Sequence, residues 1–155
     1  MLTAEDRLTG PGTHHSEQTS EHISETASYR DYNSLPGTSG PHWAIPAEWG
    51  AYSQPLPEER IVHNLEHGGI GIHYPESSDA LTIQRLENIA KDVPGYPSCI
   101  VVSPHVGIAE GVVLTAWSVT LQTDGSSVDE ITNFIDFYRD QGPERVNCRD
   151  VIPGM

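Results

Sequence analysis

The chain has 155 residues, the size of one domain with one real core. Its net charge of -14 argues against nucleic acid or an anionic membrane surface as a partner, since each wants a basic face. Hydrophobic residues make up 36%, and no run reaches the eighteen or so apolar residues of a membrane span, so no direct membrane contact is expected. Lys91 is the single lysine among eight basic residues. Excess carboxylate with almost no lysine suggests the surface of a protein from a halophilic host, with ordinary acidic drift as the alternative. No basic-then-apolar signal segment opens the chain, so export would require a signal removed or lying outside this sequence.

In chain order, residues 1–28 are polar and carry few large apolar side chains, so they bury too little surface to offset their ordering. They are expected to form a mobile arm, with His14, His15 and His22 solvated in it. Residues 29–155 are expected to form a single α+β domain. It opens on a long loop, Tyr29 to Pro57, in which Pro and Gly break every period. Tyr29, Tyr32, Trp43, Trp49 and Tyr52 are too many aromatics for a slack linker, so this loop should be ordered on the core.

Regular structure is expected from Pro57. PEERIVHNLEHGG has acids at its start and Gly68-Gly69 at its end, the polarity of a helix. GIGIHY alternates as a strand with Ile70 and Ile72 inward and His73 outward. Ser77-Ser78-Asp79 caps a helix from about Ala80 to Asp92, with Leu81, Leu86, Ile89 and Ala90 at helical spacing. CIVVS reads as a buried strand, His105 to Gly111 as a turn, and GVVLTAWSVTLQ as one longer strand with Trp117 in the core. Ser127 caps a last helix, VDEITNFIDFYRDQG. The sum is an α+β fold, a small mixed sheet with about three helices. Cys99 reads first as a buried core thiol and second as half of a disulfide to Cys148, which would imply an oxidising compartment.

The chemistry concentrates at His63 and His67. Four apart on a helix, they share one face and can hold one metal ion. SGPHW places His42 in the aromatic loop, where it can fold back as a third ligand. Glu66 completes an H-x-x-E-H pattern like that of inverted zinc peptidases; it reads better as a carboxylate orienting an imidazole than as a general base. His73 and His105 read as plain polar residues, with extra ligation the alternative. Cys148 and Met155 are soft donors without a recognisable copper spacing.

The segments YNSLPGTSGPHW, GAYSQPLPEERIVHNLEHGGIGIHY, VVSP, LTAW and FIDFYRDQGPE, in that order, resemble the bacterial and archaeal domain of unknown function 3105 family over roughly Tyr29 to Cys148. The resemblance implies a shared site at His42, His63, Glu66 and His67, and a domain carried outside the cytoplasm behind a membrane helix. It implies no reaction. The expectation is therefore one transition-metal ion on His42, His63 and His67, with copper favoured over zinc because no carboxylate or thiolate ligand is evident. Its job would be metal handling or a small redox reaction. The alternatives are a zinc hydrolase with Glu66 as base, and a homo-oligomeric assembly subunit whose arm orders against a neighbour.

Overall fold

A computed structural model describes residues 2–148. Met155 lies outside the described residues. The helices are α1 (Ala4–Leu8), α2 (Glu58–Glu66), α3 (Ala80–Lys91) and α4 (Val128–Tyr138). The strands are β1 (Thr13–His14), β2 (His22–Ile23), β3 (His42–Trp43), β4 (Gly50–Ala51), β5 (Ile70–Pro75), β6 (Ile100–His105), β7 (Val112–Ala116) and β8 (Val119–Thr123). Six strands form one mixed sheet in the order β1-β8-β7-β5-β6-β4, and β2 pairs with β3 in a separate ribbon. The fold is α+β, as the sequence implies.

The long elements start and stop where side-chain chemistry directs. The Asp79 carboxylate accepts from Thr82 N at 2.8 Å and caps α3, and the Ser127 hydroxyl accepts from Glu130 N and caps α4. Gly68, at φ +84, ends α2: its N–H donates to Leu65 O, and Gly69 N–H donates to Asn64 O. That pair of bonds is the left-handed glycine cap, and it leaves His67 as the C-cap residue just past the end of the helix.

β5 is the central strand, parallel to β6 through the α3 crossover and antiparallel to β7. Its two faces differ in character. Ile70 and Ile72, with Ile100, Val102, Val112 and Leu114, meet Leu86 of α3 and Ile131, Phe134 and Ile135 of α4 in the main core. Each such side chain, once fully buried, stabilises by about 1.5–3 kcal/mol relative to exposure. The opposite face carries His73, Ser103, His105 and Thr115, all buried.

Several expectations change. His73 is fully buried, because a central strand covered on both faces has no solvent side. His105 ends β6 rather than opening a turn, and its Nε2 bonds Glu58 Oε2 at 2.6 Å. The expected single strand across GVVLTAWSVTLQ is a hairpin, β7 and β8, turned at Trp117-Ser118 with Ser118 at φ +64. Leu81 is 79% exposed, so α3 buries its Leu86–Ile89–Ala90 stripe without it. Cys99 is buried but is not a thiol: it forms a disulfide with Cys148, Cα atoms 5.5 Å apart.

Residues 2–28 lie along the rest of the chain. β1 pairs with β8 and β2 with β3. Arg7 donates to Gln141 O and Trp117 O, and Trp117 Nε1 donates to Glu17 at 2.8 Å. The aromatic loop is tied to α2 by Asn64, whose amide bonds both Ala47 N and Ala47 O, and by Glu59, which accepts from Tyr29 N.

Candidate metal centre

The centre forms where α2 ends beside the β2–β3 ribbon. In a parallel ladder, paired residues present their side chains to the same side, and His22 pairs with His42. Their rings stand 5.1 Å apart, and each also meets His63, at 5.1 Å and 4.9 Å. On the helix, one turn separates His63 from His67, with ring centroids 4.6 Å apart. The structure thus brings His42, His63 and His67 together with Glu66, and it adds two residues that sequence reasoning did not assign, His22 and Glu144.

Two buried imidazoles are held in one tautomer. His42 Nδ1–H donates to Gly40 O at 2.8 Å, and His63 Nδ1–H donates to Trp43 O at 2.7 Å. Each therefore turns an Nε2 lone pair into the cluster, the arrangement that fixes metal-binding histidines. His42 is 0% exposed, and its Nε2 has no hydrogen-bond partner. The Glu66 Oε1 3.4 Å away is close enough for charge attraction, but the contact is not a hydrogen bond. A buried lone pair left without a donor is costly, and a cation among these donors removes that cost.

His63 Nε2 lies 3.1 Å from His67 Nε2. Two nitrogen donors on one tetrahedral zinc, each at about 2.0–2.1 Å, are spaced by about 3.3 Å, so the pair is already near a ligand spacing. With the His63 proton on Nδ1, the proton between them belongs to His67, which also reaches Glu144 Oε2 at 3.0 Å. For His67 Nε2 to ligate an ion, that proton would have to leave Nε2.

The electrostatics follow from burial. Burial pushes His63 down to about 4, with the neighbouring His67, His42 and His22 adding to the effect against the Trp43 carbonyl. Burial likewise lowers His42. Burial, and then the Glu144 carboxylate beside it, lift Glu66 to about 7. His42 and His63 are thus neutral and able to ligate near neutral pH. Two fours of donor atoms result, each within 4.8 Å: His22, His42, His63 and Glu66; and His63, Glu66, His67 and Glu144.

Glu144 arrives by close packing after α4. Gly142 passes so near the end of α2 that a Cβ there would stand 2.5 Å from Glu66 O and from Gly68 N. Glu144 N–H then donates to Glu66 O at 2.9 Å, and the Cys99–Cys148 disulfide staples the segment four residues on. His22 gave no local signal in its polar tract. Glu144 ends FIDFYRDQGPE, a segment that carried the family resemblance, but in a loop its direction could not be read.

The other histidines lie elsewhere. His73 Nδ1 bonds Ser103 Oγ at 3.0 Å, and His105 bonds Glu58, so these two form a separate buried layer. Cys148 is consumed by the disulfide and is not a soft ligand.

Fold and site define an α+β domain with histidine and carboxylate side chains grouped so that they could hold a metal ion. The profile of a family described as a protein of unknown function (DUF3105) matches residues 22–150, and the chain belongs to that family. No curated protein and no solved structure matches it. Among the described residues, no helix is long and apolar enough to cross a membrane.

Proposed function

We propose that this chain is a metal-binding domain that takes up a divalent transition-metal ion at His22, His42, His63 and Glu66. The observation that carries the reading is His42. It is a fully buried imidazole tied at Nδ1, with its Nε2 lone pair unpartnered and aimed at three other donors. Such an atom is expensive without a cation and ordinary with one.

The expected preference for copper rested on the lack of a carboxylate. Glu66 and Glu144 both reach the cluster, and mixed imidazole and carboxylate donors suit zinc. The hydrolase alternative requires Glu66 to stand off from the ion as a base. Its carboxylate instead belongs to both fours of donors, which supports a ligand role and hence ion binding over turnover. The assembly alternative requires the arm to order on a neighbour, whereas β1 and β2 pair within this chain. The disulfide supports a setting outside the reducing cytoplasm.

Isothermal titration of chelator-stripped protein with zinc and with copper(II) tests the reading. Saturable uptake is expected, tighter than that of a His42→Ala, His63→Ala variant by at least 100-fold. Equal uptake by the two proteins would refute the site.

A further inference from the structure

The six donor residues around α2 group as two fours rather than as one set of six. His63 and Glu66 belong to both, but they cannot be shared in the same way. His63 has committed Nδ1 to Trp43 O, so its single free lone pair serves one ion. Glu66 has two carboxylate oxygens and can serve two. Giving His63 to the buried four leaves Glu66, His67 and Glu144 as an outer trio.

Two further observations concern the trio. The Glu66 and Glu144 carboxyls each offer an oxygen within 4.8 Å of the other, so two acids converge beside His67. A cation between them satisfies both. The trio also faces water: the His67 side chain is 23% exposed and that of Glu144 62%, against 0% for His42 and 5% for Glu66.

We propose that the centre holds two divalent ions bridged by Glu66. The inner ion lies on His22, His42, His63 and one Glu66 oxygen. The outer ion lies on the other Glu66 oxygen, His67 and Glu144, with its remaining position open to water. The inference rests on the metal-binding reading above. Bridged pairs stand about 3.5–4 Å apart and clamp an oxyanion between them, so the ligand class implied at the open position is a phosphate or carboxylate group.

The test is native mass spectrometry of the full chain, stripped by chelator and titrated with zinc, beside Glu144→Ala and His67→Ala. Glu144 is exposed, so its variant is not expected to unfold, and circular dichroism checks this for both. Two ions in the wild type and one in each variant are expected. One ion in the wild type, whatever the variants do, overturns the two-ion proposal and leaves the metal-binding reading standing. No ion at all overturns both. Cobalt substitution adds a readout of the bridge: magnetically coupled cobalt pairs are expected, and two uncoupled ions would contradict bridging by Glu66.

Discussion

The two faces of the central sheet are built by opposite rules. Toward α3 and α4, every inward residue of β5, β6 and β7 is apolar, and the face is a packed hydrocarbon layer. Toward α2 and the N-terminal loop, the same strands bury His73, Ser103, His105 and Thr115. Beyond them the apolar contact is small, Val62, Leu65 and Trp117 with Tyr32 against it. The apolar face supplies stability without chemistry. The polar face gives up stability in return for placing imidazoles and carboxylates where water is scarce.

Phe134→Ala should break this contrast most strongly, and on the apolar side alone. Phe134 is fully buried, and its loss should cost about 3–5 kcal/mol in urea unfolding. Zinc affinity of the folded fraction should stay unchanged. A large loss of affinity would mean the two faces are not separable.

The Cys99–Cys148 bridge closes a separation of 49 residues, which in the chain-entropy account is worth about 4 kcal/mol. Cys99→Ser with Cys148→Ser should therefore lower stability by roughly that amount. It should also weaken zinc binding at the Glu144 end, because the bridge staples that segment. Unchanged binding in the folded variant would show that Gly142 packing alone holds Glu144.

Acid should act on the polar face. Burial, reinforced by nearby His105 and opposed by Glu58, holds His73 at about 4 against an ordinary 6.5. The unfolded chain takes up this proton as pH falls through 6.5, while the folded chain refuses it until about 4. Stability is thus full above pH 6.5 and declines toward pH 4, by about 3 kcal/mol for this one group. Glu58, which the His105 hydrogen bond holds below its ordinary value against the effect of burial, adds a loss in the same direction at lower pH. Unfolding of metal-free protein from pH 7 to pH 4.5 measures the slope, and His73→Gln should flatten it.

Zinc should give the smallest effect, a gain of about 2.7 kcal/mol at a hundredfold excess over Kd, seen as a raised Tm. His63→Ala should diminish that gain.

The legibility of these regions in the sequence differs in the same way. The apolar face was legible because periodicity and caps are local: Asp79, Ser127 and the Gly68-Gly69 pair each mark a boundary the structure keeps. The α2 pair was legible for the same reason, since one helical turn brings His63 to His67. The hairpin at Trp117-Ser118 was not, because its turn carries neither Gly nor Asn. His22 and Glu144 were not legible as donors because each reaches the centre through long-range pairing, one by the β2–β3 register and the other by the close pass at Gly142. The burial of His73 depended on strand order, which alternation within GIGIHY does not encode.

The most direct measurement is the metal content of protein purified without added metal, beside the His42→Ala, His63→Ala variant. The account predicts at least one zinc or copper per chain in the first and at least one ion fewer in the second. A wild-type protein that carries no metal, or a variant that keeps its full complement, would contradict it.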